Sequence, residues 1–440
     1  MRVLEQLEPK NVLSFFEDLC AIPHGSGNTK AISDYCVKFA ESRGLEVHQD
    51  GLNNVVIVKP ATPGYEAAPT VIVQGHLDMV AEKTPDSPIN FLTDGLELEV
   101  DGDFIRAKGT TLGGDDGIAV AMALAVLDSK DLAPPRLECL FTIDEETGMG
   151  GAVGFDASIL QGKRLLNIDS EEEGILTVSC AGGAHAAVRI PMTANECALD
   201  SAEIRISGLK GGHSGAEIDK GRANATITLG RVLQALVDEL EVRLVSAEGG
   251  LKDNAIPNAA RAVIALEDGK LPRAQEICAE LQDTFRREYA AADPDVTVTF
   301  TPGTVASQAL TLRDTKKVCC FLGLYPNGIE SMSMDIPGLV QTSCNLGIFK
   351  VNGSGLEGSG SVRSSIASRK QLLLRRIGLL AEGLDGTLCV SGEYPAWEYR
   401  RESALREKLV EVYRAQTGKE PKIEAIHAGL ECGIFAGKMP

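Results

Sequence analysis

The sequence predicts a mixed-sheet α/β domain with an α+β lid domain inserted into it. Three observations carry this reading. Residues 1–186 alternate helical patterns with buried strand patterns. Near residue 187 the texture changes to two successive cycles of strand and helix. From Leu388 the first pattern returns as strand, helix, strand and a Gly-rich turn. Helices interleaved with buried strands favour a sheet covered by helices, and a return to the same texture favours an insertion. The expected boundaries are therefore 1–186 and 388–440 for the α/β domain and 187–387 for the insertion, with its two cycles as two similar subdomains.

Each element has its own pattern. Residues 11–22 and 29–42 show helical periodicity, whereas 54–59 and 70–74 read as strands rich in Val and Ile. Residues 117–127 are almost wholly apolar and read as a buried helix. Strands follow at 137–143 and 165–168. In the insertion, strand patterns lie at 202–209, 260–266, 296–301, 338–351 and 355–366. Helical patterns lie at 222–240, 274–289, 314–324 and 369–382. A last helix is expected at 403–416 and a strand at 422–426. The Gly-Ser-Gly runs at 353–355 and 358–360 read as hairpin turns, because no P-loop lysine follows them.

Composition narrows the function classes. At roughly 150 residues per domain, 440 residues hold two or three domains. Lys+Arg number 43 against 62 Asp+Glu, a net charge of −19, which argues against nucleic acid and against an anionic membrane as partner. No uninterrupted apolar run of about 18 residues is present, so no membrane span is expected, and the opening MRVLEQLEPK lacks a signal-peptide pattern. The 11 cysteines are scattered, odd in number and without a C-x-x-C pair. They read as reduced cysteines of a cytoplasmic protein. The six histidines are few enough that a histidine-based site has few candidates.

Four strand-like segments end in histidine or carboxylate. His76 and Asp78 close the strand around residues 70–74, and residues two apart on a strand point to one side. Asp115 and Asp116 precede the apolar helix, Glu145 and Glu146 follow the strand ending at Ile143, and Asp169 follows the strand ending at Ile168. Each has a bland alternative: an exposed histidine beside a turn-forming aspartate, a helix N-cap, or a solvated acidic loop. Together they describe one histidine and several carboxylates converging at strand ends, which needs divalent cations for neutralisation. Nitrogen with oxygen ligands suits Zn²⁺, Mn²⁺ or Co²⁺. A G-x-S-x-G elbow is absent, which argues against serine catalysis.

An ordered series of motifs now resembles a known family. The strings are His76-Leu-Asp78-Met-Val80, the Gly109–Ile118 stretch GTTLGGDDGI, Glu145-Glu146-Thr-Gly-Met-Gly-Gly151, Asp169 with the acidic run to Gly174, Gly211-Gly-His213-Ser-Gly215, Asn254-Ala-Ile-Pro257 and His427-Ala-Gly-Leu-Glu431-Cys-Gly433. They look like the aminoacyl-histidine dipeptidases, also called cytosolic non-specific dipeptidases, within the di-zinc exopeptidases. The resemblance covers the whole chain. It implies a zinc-exopeptidase type of α/β domain with a lid, a cytoplasmic location and hydrolysis of unblocked dipeptides. It implies two zinc ions, with manganese or cobalt as substitutes: His76 and Asp169 on one, Asp115 bridging both, Glu146 on the second. Glu145 would be the general base, Asp78 would sit behind His76, and Asp116 would cap the helix. His213 would stabilise the oxyanion or hold substrate, Arg363 would clamp the substrate carboxylate, and Asn254 would help hold substrate. A small peptide is the implied partner, and a homodimer through the lid is compatible with it.

The family pattern also has a histidine downstream of the His427–Gly433 string that completes the second zinc site. The sequence ends at Pro440 with no histidine after His427. The expectation is a truncated form with an incomplete second site and an open question over activity. The rival readings are an amidohydrolase of N-acyl amino acids on the same scaffold, which would cleave an N-acetylated dipeptide as well as a free one, and a folded but inactive chain.

Overall fold

The computed structural model describes residues 2–170 and 172–439; Glu171, in the acidic run after Asp169, lies outside the described residues. The chain forms two compact units. The first comprises residues up to 176, 403–422 and from 434 onward, and the second comprises 177–402 and 423–433.

In the first unit the helices are α1 (Lys10–Cys20), α2 (Lys30–Glu41), α3 (Gly114–Asp128) and the short α4 (Gly150–Gly154). The strands are β1 (Glu46–Gln49), β2 (Val55–Lys59), β3 (Val71–His76), β4 (Leu98–Asp101), β5 (Phe104–Ala107), β6 (Leu137–Thr142) and β7 (Arg164–Asn167). The sheet order is β1-β2-β6-β3-β7, with β4 and β5 as a separate hairpin. β3 runs parallel to β6 and β7, whereas β1–β2 and β2–β6 are antiparallel. The sheet is therefore mixed, as its sequence texture predicts. Every residue of β6 is buried, as the central position in a covered sheet requires. α3 packs against α1 and β3. It is apolar on nearly all sides, which only a helix enclosed in a core tolerates. Ile434 and Phe435 bury against Val56, Val58, Ile72 and Leu140. Lys438 donates to the carbonyls of Ala152, Val153 and Phe155 at 2.6–2.8 Å, satisfying carbonyls at the end of α4.

The chain enters the second unit within β8 (Ile175–Cys180). Its further strands are β9 (Gly182–Pro191), β10 (Ala194–Ser207), β11 (Gly212–His213), β12 (Arg243–Gly249), β13 (Ala255–Ile256), β14 (Ala260–Leu266), β15 (Thr297–Pro302), β16 (Ala306–Leu310), β17 (Gly328–Met332), β18 (Val340–Asn352), β19 (Gly355–Ser364) and β20 (Thr387–Tyr394). Its helices are α5 (Ala225–Glu239), α6 (Leu271–Glu288), α7 (Leu312–Leu324) and α8 (Ala367–Gly383). Eight strands follow the antiparallel path β15-β10-β14-β12-β18-β19-β9-β20, with β16 on β10 and β17 on β18. The two cycles seen in the sequence are thus halves of one sheet, joined where Ala247, Glu248 and Gly249 of β12 pair with Val351, Lys350 and Phe349 of β18. β20 was expected with the α/β domain. It instead hydrogen-bonds along β9 and closes the edge of this sheet. A strand pattern in sequence does not say which sheet will supply its partner.

Candidate active site

Because β3, β6 and β7 are parallel, their carboxyl ends lie side by side. His76 is in register with Thr142, and Gln74 with Asn167. Open α/β sheets place ligand sites at such ends. His76 ends β3, Glu145 and Glu146 lie in the turn after β6, and Asp169 follows β7. Asp115 and Asp116 sit where the chain enters α3 with non-helical dihedrals before the regular helix begins.

His76 is buried. Its Nε2 is 3.0 Å from Asp115 Oδ1, and its Nδ1 is 2.9 Å from the Asp78 carbonyl oxygen and 3.4 Å from Asp78 Oδ1. One donor atom each from His76, Asp115 and Glu146 lies within 4.8 Å of the others. Asp169 stands outside that set, yet its charge acts on His76, Asp116, Glu145 and Glu146. Asp78 is buried and does three jobs. Beyond its contacts to His76, it accepts the Glu145 amide at 3.0 Å and the Ser26 hydroxyl at 2.7 Å. A cavity of about 440 Å³ opens beside Asp115 and Asp116, lined also by Phe16, Leu112 and Ile168.

The carboxylates repel one another in a partly dry setting. Burial, with the charges of Asp169, Glu146 and Asp78, pushes Glu145 up to about 7. Burial, with Asp169 and Asp115, pushes Asp116 up to about 8. Glu146 is raised by burial and Asp115. His76 moves far above its ordinary value: burial opposes its charge, but the bonds to Asp115 and Asp78 and the charges of Asp116 and Asp169 outweigh burial. Asp169 raises Asp116, Glu145 and Glu146 alike, and the charge of His76 opposes the rise at all three. One imidazole and converging carboxylates, short of positive charge, are the donor set a divalent cation satisfies, so the residues present fit a metal.

The resemblance casts Asp116 as the cap of α3, and the structure gives it another task. No side chain caps that helix; Gly113 occupies the cap position, and Asp116 Oδ2 accepts the backbone N–H of His76 at 3.1 Å. Gly75 makes this approach possible, since a Cβ there would lie 2.5 Å from Asp116 Oδ2. Sequence reasoning also passed over Ser26, which holds the outer oxygen of Asp78. Beside it, Gly27 donates its amide to Asp144 at 2.7 Å. Ser26 and Asp78 are 52 residues apart, and nothing in the local pattern of Ser26 announces the contact.

The remaining candidates belong to the second unit. β11 pairs with β13, His213 opposite Ala255, and the Asn254 carbonyl accepts the Ser214 amide at 2.9 Å. The Asn254 residue itself is exposed. His213 Nδ1 accepts the amides of Gly215 and Ala216 at 3.2 and 3.0 Å, which leaves its proton on Nε2. Burial and the charge of Arg363 hold its pKa below the usual value. A Cβ on Gly215 would lie 3.0 Å from His213 Cε1 and 3.2 Å from Arg363 Nε, so the two side chains flank that glycine. His427 is buried, with Nε2 2.7 Å from Ser343 Oγ; burial and Arg363 lower it to about 4. Glu431 is buried as well.

Residues 204–293 match a family model described as a peptidase dimerisation domain. The cytosol non-specific dipeptidase of Escherichia coli K12 is 35% identical over 442 residues, covering 100% of this chain and 91% of that protein. The crystal structure of aminoacylhistidine dipeptidase from Vibrio alginolyticus superposes with a TM-score of 0.94 at 36% identity, over 99% of this chain and 90% of that one. The aminopeptidase PepT of Bacillus cereus shares the fold alone, at a TM-score of 0.51 and 15% identity, over 98% of this chain and 87% of that one. Fold and site together define a metallopeptidase with an inserted dimerisation-type domain. Within that class, the chain belongs to the cytosol non-specific, or aminoacyl-histidine, dipeptidase family of the M20 peptidases. Among the described residues no helix is long and apolar enough to cross a membrane.

Proposed function

We propose that this chain hydrolyses unblocked dipeptides with a divalent cation, zinc by first choice and manganese or cobalt as substitutes. The observation that carries the reading is the meeting of His76, Asp115 and Glu146 donor atoms within 4.8 Å, beside a Glu145 pushed up to about 7. His76 Nε2 and Asp169 would hold one cation, Asp115 would be shared, and Glu146 would serve a second. Bound there, the cation supplies Lewis-acid polarisation of the scissile carbonyl and acidifies water.

The chain's own groups do the rest. Asp78 holds His76 through Nδ1, directing Nε2 outward, and fixes the Glu145 backbone through its amide. The Glu145 carboxylate takes a proton from water as the oxygen bonds to the carbonyl carbon. The same proton passes to the amide nitrogen as the C–N bond breaks, leaving an amine and a carboxylic acid whose proton is then taken up by the amine or by solvent. His213, protonated on Nε2 only, donates to the oxyanion of the tetrahedral intermediate. Arg363 receives the dipeptide's C-terminal carboxylate, a planar group matched to a guanidinium, and Asn254 assists in holding substrate.

The test is hydrolysis of a free dipeptide and of its N-acetylated form, by the chelated protein and after zinc or manganese is restored. Metal-dependent turnover confined to the free dipeptide supports the reading. Equal turnover of the acetylated form favours the N-acyl amidohydrolase instead, and absence of cation binding removes the metal proposal altogether.

A further inference from the structure

Arg363, Gly183 and Tyr394 form one row across three adjacent strands of the second unit. Gly183 on β9 is in register with Arg363 on β19 on one side and with Tyr394 on β20 on the other. Neighbouring strands lie about 4.8 Å apart, so the outer two residues are separated by roughly 10 Å at their backbones. They meet because the middle residue has no side chain. A Cβ on Gly183 would lie 2.5 Å from Tyr394 Cζ and 2.7 Å from Cε1. The phenol ring occupies the space above the glycine, and its hydroxyl accepts a hydrogen bond from Arg363 Nη1 at 2.9 Å.

Two further features aim the ring. The register of β20 on β9 shifts between Ser391 and Tyr394: three steps on β20 match two on β9, from His185 to Gly183. Such a bulge turns the side chains beyond it. The buried Lys370 then donates to the Tyr394 carbonyl at 2.8 Å, fixing the backbone just after the bulge. Among the described residues, Tyr394 is the one hydrogen-bond partner of Arg363, and the buried Nε of Arg363 has none. The tyrosine therefore holds one corner of the half-buried guanidinium through Nη1, with Nε enclosed, and among the described residues Nη2 has no protein partner, which leaves its N–H groups for a carboxylate.

We infer that Tyr394 is a positioning residue that orients Arg363 to receive the substrate carboxylate, across a gap that Gly183 keeps open. The inference rests on the reading of Arg363 as the carboxylate clamp. It is tested on the full chain with metal supplied, using a dipeptide analogue with a reduced peptide bond and the same analogue as its C-terminal amide. Calorimetry gives the affinity of each, and dipeptide turnover gives KM and kcat separately. Tyr394→Phe removes only the hydroxyl. It should weaken binding of the carboxylate analogue about tenfold and raise KM by a similar factor, with kcat and binding of the amide unchanged. Gly183→Ala should act in the same direction by displacing the ring. Arg363→Ala should abolish the preference for carboxylate over amide. If Arg363→Ala keeps that preference, the clamp reading fails and the inference falls with it. If Arg363→Ala loses the preference while Tyr394→Phe binds both analogues as the parent does, the clamp stands and Tyr394 has no positioning role. Equal weakening of both analogues by Tyr394→Phe would likewise overturn the inference, because it would mark an effect on the fold.

Discussion

His76 and His427 are both buried, and their surroundings drive them in opposite directions. His76 stands among carboxylates, and its pKa rises far above the ordinary value. His427 shares its neighbourhood with Arg363, and its pKa falls to about 4. The first unit thus gathers negative charge at the ends of β3, β6 and β7, and the second gathers a guanidinium and neutral imidazoles. Burial alone lowers a histidine pKa in both places; the sign of the neighbouring charge decides the outcome. On the proposed reading, the acidic cluster receives a cation and the Arg363 guanidinium receives the carboxylate of a dipeptide.

The largest effect is expected where the acidic region does chemistry. Glu145→Gln should lower kcat by about 10³-fold while a cation still binds, because the base is lost and the donors of His76, Asp115 and Glu146 remain. Metal content beside turnover checks this, and loss of the cation along with activity would mean that Glu145 is itself a ligand. Next comes Asp78→Asn, which disturbs the groups holding His76 and the Glu145 amide. It should cost about 10- to 100-fold in cation affinity, read by competition with a chelator.

The two regions should also differ in how pH acts on stability. Glu145 and Asp116 have folded pKa values above their ordinary ones, so their contribution is fully present below about pH 4 and is lost as pH rises through about 7 and 8. Metal-free protein should therefore lose thermal stability between pH 6 and 9 on the order of a few degrees, and added zinc or manganese should suppress the loss. For His427 the sign reverses. Its folded value of about 4 lies below the ordinary 6.5, so its contribution is present above 6.5 and is lost as pH falls through about 4. His427→Gln should flatten that acid limb by roughly 3 kcal/mol. Unfolding curves of the metal-free protein across both windows separate the two effects, and a single shared pH slope would break the contrast. The smallest change is Ser26→Ala. It removes one hydrogen bond to Asp78 and should cost about 1 kcal/mol of stability with a few-fold drop in cation affinity.

Much of the site was legible before the structure because its chemistry sits at the ends of strands. Runs such as 137–143 announce a buried strand by their apolar residues, and a carboxylate pair just beyond stands out against them. His76, Glu145, Glu146 and Asp169 stood out in this way, Asp115 stood out as a carboxylate at the start of an apolar helix, and the ordered motifs then pointed to the family. Asp116 was misassigned because an aspartate before an apolar helix looks like a cap in any sequence. Only the placement of Gly75 beside it reveals that it serves the His76 amide instead.

By itself, then, the sequence determined the alternation of strands and helices, the inserted region, the net charge of −19, and the histidine and carboxylates that the proposed metal site draws on. These depend on local periodicity and on residue type, which a linear chain displays directly. Tertiary structure decided that β20 completes the second unit's sheet, that Ser26 holds Asp78, and that Tyr394 reaches Arg363 over Gly183. Those contacts join residues about 200, 52 and 31 positions apart. They follow from register and close approach between strands and loops, quantities that exist only once the backbone has closed around them.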